Sequence, residues 1–275
     1  TPHTPRSILE LVVTAAPFLA FWAAAWGLVQ FGHWWGVVLT IPAAFFLMRV
    51  FMIQHDCGHG AMFRSKAVND WVGRVAGVLT MTPYDYWKRT HAIHHGTSGN
   101  LDRRELGAIE LLTVEEYRAL PRWRRALYWL YRHPIVMFGI GPAYMFLLQH
   151  RLPIGEMRAG WRPWVSTMVT NLFIFAGAAV LIWIGGWTAF FLVNIPVVVI
   201  AATLGVWLFY VQHQFEETHF ARDEEWNLQD AALRGSSHYD LPGILRWLTA
   251  HIGVHHVHHL NSRIPFYRLP QILKD

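Results

Sequence analysis

Residues 34–59 read WWGVVLTIPAAFFLMRVFMIQHDCGH. The apolar run 34–53 stops just before two histidines, His55 and His59, spaced four apart. About 20 apolar residues wound as a helix cross a hydrocarbon core of about 30 Å. The stretch therefore reads as a membrane span that delivers two imidazoles to one of its ends. A similar run lies upstream at 8–29, with Glu10 its only charge and Phe31, Gly32 and His33 as the turn between the two. A second pair follows at 164–184 and 187–210, joined by Gly185-Gly186. Pro17, Pro42 and Pro196 inside these runs would kink a membrane helix without ending it. The expectation is an all-α integral membrane fold, one domain over 1–275. It has four transmembrane helices in two hairpins and a helical cap made of 54–163 and 211–275.

Composition agrees. Hydrophobic residues make up 53% of the 275 and charged residues only 15%, against roughly 25% charged in soluble domains. Fifteen tryptophans suit membrane–water interfaces. The net charge is +5, but the basic residues form no dense run, so a membrane surface or an acidic protein fits better than nucleic acid. No Lys or Arg occurs between Ile8 and Met48 or between Trp164 and Ala221. With four spans all 23 fall on one face, which the positive-inside rule makes cytoplasmic. Both ends of the chain are then expected there, in the inner membrane if the source is bacterial, and no cleavable signal peptide is expected. The shorter apolar stretches 71–81 and 134–149 read as interfacial or re-entrant, and 115–131, mixing Arg with Trp and Tyr, as a helix on the membrane surface.

A single cysteine, Cys57, excludes an intrachain disulfide and a thiolate-rich metal site. Histidine is the abundant ligand instead, with 17 copies. Three clusters stand out: His55-Asp56-Cys57-Gly58-His59, His91-Ala92-Ile93-His94-His95 and His255-His256-Val257-His258-His259. On a helix, positions i, i+3 and i+4 share a face, so each cluster aims two or three imidazoles at one point. His256 faces away from its neighbours, and Cys57 faces away from His55 and His59. Neutral imidazole ligates iron or zinc without burying a charge beside lipid. The eight imidazoles His55, His59, His91, His94, His95, His255, His258 and His259 exceed the three or four that one tetrahedral zinc takes. Two metals are the natural count, and two irons suit oxidation of an inert substrate.

The pattern HDCGH, HAIHH and HHVHH resembles the HxxxH, HxxHH and HxxHH boxes of membrane fatty acid desaturases, in the same places relative to the spans. Residues 212–216 (QHQFE) and 258–267 (HHLNSRIPFY) are similar too, and the likeness runs from about Arg49 onward, nearest to bacterial and plant acyl-lipid desaturases. The resemblance implies a di-iron centre with O2 as co-substrate and a fatty acyl chain as the substrate that gains a double bond. It also implies a further ligand after the fourth span, where His213 stands. Asp56, His251 and His256 are candidates to back the ligands, with Asp85, Asp102, Glu216 and Glu217 nearby in sequence. His3, His33, His133 and His150 are expected at surfaces or interfaces. Phe63, Trp87 and Trp207 are candidate walls of an acyl tunnel.

No CxxC pair, nucleotide-binding glycine motif or His-Pro-Gly-Gly haem motif is present, so electrons are expected from a separate ferredoxin, rubredoxin or cytochrome b5-like donor. The acyl carrier (lipid, CoA or acyl carrier protein) stays open. So do a hydroxylase or an alkene-forming oxidative decarboxylase on the same scaffold. A zinc-dependent membrane hydrolase would need fewer ligands and a carboxylate base. A metal transporter would place ionisable residues at mid-membrane, where these runs have almost none.

Overall fold

The computed structural model describes residues 1–104 and 108–273. α1 (Thr4–Gln30) starts with His3 Nδ1 accepting from the Arg6 amide and ends at Gly32, whose φ of 81° makes the turn. The second apolar run does not begin as an α-helix. Residues Trp34–Leu39 wind as a tighter 3-10 turn, and α2 (Thr40–Gly58) continues five residues beyond the apolar run to carry His55. Then come α3 (Lys66–Leu79), α4 (Tyr84–Thr97), α5 (Val114–Ala119), α6 (Arg122–Arg132), α7 (Gly141–Leu147), α8 (Trp161–Ala189) and α9 (Ile195–His213). Four short helices close the chain: α10 (Leu228–Arg234), α11 (Gly243–Leu248), α12 (His255–Leu260) and α13 (Leu269–Ile272). No strand occurs among the described residues.

Three helical stretches are long and apolar enough to cross a membrane: Thr4–Gln30, Trp34–Gly58 and Trp161–His213. The third has 53 residues, about 80 Å at the α-helical rise. It is not continuous: Gly186, at φ 72° and ψ 172°, leaves helical geometry between α8 and α9, and a π-helical turn at Phe190–Asn194 follows. The end of α1 meets this break, where the Gln30 amide group donates to the Gly185 carbonyl.

α2 is the central helix, packed against α1, α9 and α3. Over half of its apolar window is buried, 56%, against 22% for α1. α8 instead turns Leu172, Phe173, Phe175, Trp183 and Ile184 outward, as a lipid-facing helix does. One network of buried charge ties α1 to α2. Arg49 on α2 pairs with Glu10 on α1, donates to Thr14 Oγ1 at 3.0 Å, and lies over the Trp247 ring at 4.2 Å.

One sequence expectation needs correction. The stretch 115–131 forms two helices, α5 and α6, because Pro121 lacks an N–H and pushes Leu120 into extended backbone (ψ 145°). His150, expected at a surface or interface, is half-buried against the Phe146 ring, and that burial pushes its pKa down to about 4. The stretch 134–149 becomes a π-helical turn (Val136–Ile140) followed by α7, packed along α9, with Thr203 Oγ1 donating to the Phe138 carbonyl at 2.7 Å.

Candidate metal centre

Four elements meet at the C-terminal end of α2. His55 sits on its last turn and His59 caps it. α4 supplies His91, His94 and His95 from one face, α9 ends on His213, and α12 brings His255, His258 and His259. A six-residue helix such as α12 is too short to hold itself together. It is anchored from outside, with the His255 and His256 amides both donating to the Ser237 carbonyl at 3.2 and 3.3 Å.

The imidazoles fall into two groups. His55, His59, His91, His95 and His258 offer nitrogens that all lie within 4.8 Å of one another, and so do His94, His213 and His259. His255 belongs with the second group: its Nε2 is 2.9 Å from His213 Nε2 and 3.1 Å from His259 Nε2. The groups touch, for His95 stacks on His259 at 4.2 Å between ring centroids. Every residue expected as a ligand is therefore in one group or the other.

This donor set fits metal ions. Nitrogen pairs 2.9–3.2 Å apart match the roughly 3 Å between two ligands at right angles, each about 2.1 Å from a common centre. His59 Nε2 is buried with no hydrogen-bond partner, a state that needs an explanation such as an ion. Burial, followed by neighbouring imidazoles, drives the pKa values of His59, His91, His255, His258 and His259 well down, and that of His95 to about 2. The rings are thus neutral and keep their lone pairs. An all-imidazole set suits iron, zinc or copper.

Asp56 backs the first group. Its Oδ1 lies 3.2 Å from His55 Nδ1 while Oδ2 accepts from the Phe266 amide at 2.7 Å. The contact fixes the His55 proton on Nδ1 and leaves Nε2 as the donor atom. His251 and His256 are placed elsewhere. His251 has a positive φ of 56° and faces the charges of Arg49, Glu10 and Arg246. His256 lies against His238, ring to ring at 5.6 Å. Asp85 is taken by Arg74 and Asp102 by Arg222, and Glu216 and Glu217 are exposed.

Two contacts escaped the sequence reading. Ser98 Oγ is 3.4 Å from His213 Nδ1; its place one helical turn after His94 was the available signal. The Phe266 amide had none, being backbone 210 residues from Asp56. Trp87, one turn before His91, stacks on it at 4.5 Å. Phe209 lies 5.0 Å from both His94 and His213. A cavity of about 380 Å³ reaches His94 and His213, lined also by Leu101, Ile109, Phe209 and Gln214.

The fatty acid desaturase family profile matches residues 32–275. The chain belongs to the fatty acid desaturase family. Its reaction class is accordingly oxidative, that of a fatty acyl desaturase, and a hydrolase or a transporter is not favoured. This desaturase is 46% identical over 268 residues to the fatty acid desaturase of Bacillus subtilis (strain 168), covering 98% of this chain and 76% of that one. It is 28% identical over 229 residues to an sn-1 acyl-lipid omega-3 desaturase (ferredoxin) of Synechocystis, covering 80% and 61%. A chloroplastic omega-6 fatty acid desaturase of Glycine max is 29% identical over 238 residues, covering 80% and 51%. The chain thus spans only about half to two thirds of the length of these last two relatives.

Proposed function

We propose that this desaturase holds two irons and uses O2 to place a double bond in a lipid-linked acyl chain. The observation that carries the reading is the pair of buried all-imidazole groups. His55, His59, His91, His95 and His258 are the ligands of one iron, and His94, His213, His255 and His259 those of the other. When bound, iron supplies the redox chemistry: a CH2–CH2 unit, O2, two electrons and two protons become CH=CH and two waters. The chain's own part is to position and to exclude water. Asp56 and Ser98 orient His55 and His213 through their second nitrogens. Trp87 and Phe209 cover the rings, and the cavity at His94 and His213, where Leu101, Ile109, Leu111, Phe209 and Phe220 stand among polar residues, offers an approach for the acyl chain.

The fold reading behind this is four crossings. The 53-residue stretch turns at Gly186, so α8 and α9 each span and α1 with α2 forms the other hairpin. The charge pattern puts the histidine end and both ends of this chain on the cytoplasmic face. Two electrons arrive there from an external donor; the Synechocystis relative's name specifies ferredoxin. That name also supports an acyl-lipid as carrier, ahead of CoA or acyl carrier protein.

The test is expression in a host of known lipid composition, with mass spectrometry of its fatty acids and iron analysis of the purified protein. A new double bond, lost together with iron in His94→Ala and His258→Ala, supports the reading. A hydroxyl or terminal alkene in its place, or full activity with zinc, overturns it.

A further inference from the structure

α6 has two faces of opposite character. Trp123, Leu127 and Leu130 share one stripe and are exposed at 59%, 56% and 48%. Exposed Arg122 and Arg124 stand on either side of that stripe, Arg124 with its guanidinium 5.1 Å from the Trp123 ring. The other face points inward and is polar. Tyr128 OH accepts from the Leu112 amide at 3.2 Å and Tyr131 OH from the Glu110 amide at 2.9 Å. Arg132 donates to Gln214 Oε1, and Gln214 Nε2 donates to the Ile109 carbonyl at 2.9 Å. Ile109, Glu110 and Gln214 line the cavity that reaches His94 and His213. α6 is therefore the outer brace of that cavity's wall.

One end of α6 is located relative to α9 as well. Arg132 lies 5.5 Å from the Tyr210 ring, on the last turns of α9, where the apolar stretch ends at His213. If α9 crosses the bilayer, the C-terminal end of α6 sits at the membrane–water boundary. An apolar stripe flanked by arginines at that depth matches an in-plane helix on an anionic surface.

We infer that α6 binds anionic lipid headgroups and that this binding steadies the cavity wall beside His94 and His213. Arg122 and Arg124 take the phosphates while Trp123, Leu127 and Leu130 enter the acyl layer. The inference rests on the membrane-spanning reading above but not on the reaction, so the test reads structure rather than turnover. The full-length protein is placed in nanodiscs of phosphatidylcholine alone or with one third phosphatidylglycerol, and amide hydrogen exchange is followed in residues 109–112 and 122–132. Phosphatidylglycerol is expected to slow exchange in both segments by up to about thirtyfold, the factor two arginines at an anionic surface can supply. Arg122→Gln with Arg124→Gln should remove that difference while leaving exchange in phosphatidylcholine and iron content unchanged. Equal exchange in the two lipids, or a phosphatidylglycerol effect that survives the double substitution, overturns the inference. Loss of iron or of double-bond formation in the unaltered protein would instead count against the proposed function. A fluorophore on Leu127→Cys gives a second measure: a water-exposed emission in both lipids also overturns it.

Discussion

At the residue scale the centre is a set of neutral rings that must stay neutral. His59, His91, His95, His255, His258 and His259 all have pKa values pushed below the ordinary 6.5 by burial. Above pH 6.5 both folded and unfolded chains leave these rings uncharged, so their contribution is full. Below it the unfolded chain takes up protons that the folded one refuses, each costing about 1.4 kcal/mol per pH unit. Stability and iron retention should therefore fall steeply from pH 6.5 to pH 5, read by melting temperature and iron content in detergent. A flat profile to pH 4.5 would contradict it. Asp56 predicts a milder effect. Asp56→Asn can no longer accept from both His55 Nδ1 and the Phe266 amide as a charged group, and iron affinity should drop about 10–100-fold. Titration with a competing chelator measures it, and an unchanged affinity would remove Asp56 from its supporting role.

At the element scale, close approach between helices matters more than the boxes show. Gly58 ends α2 directly against the Trp87 ring of α4, and a Cβ there would come within 2.9 Å of Trp87 Cζ3. Trp87 in turn stacks on His91. Gly58→Ala should displace Trp87, disturb His91 and lower iron content with little change in helicity, whereas Gly205→Ala, which meets nothing within 4 Å, should be silent. Equal iron content in the two variants would show that the packing does not matter. Much of this level was legible beforehand. Periodicity placed His55 with His59 and His91 with His94 and His95 on common faces, because a helix repeats every 3.6 residues. The division of labour was not legible. His94 and His95 are neighbours in sequence yet serve different groups, which depends on where α9 and α12 end relative to α4.

At the scale of the whole molecule, one buried network ties the first helix to the last segments of the chain. Arg49 joins Glu10 of α1 to Trp247 and lies 5.2 Å from the Phe266 ring. The Phe266 amide holds Asp56, so α1 and the segment after α12 are clamped around the first histidine group. Breaking one partner of a buried pair typically costs about 3–5 kcal/mol. Glu10→Gln should thus lower thermal stability by about that much in detergent, and Glu10→Leu with Arg49→Met should recover most of it. Failure of the double variant to recover would place the importance of Arg49 in its contacts to Trp247 and Thr14 instead.

By itself the sequence determined the apolar runs, the histidine faces and the family, since all three depend on local spacing and residue type. Tertiary structure alone decided which imidazoles share a metal group, that Asp56 answers to Phe266, and that α6 braces the cavity wall. Those depend on contacts between different elements, up to 210 positions apart in the chain. No local periodicity encodes them, because they arise only when the packing of α2, α4, α9 and α12 brings distant segments to the same place.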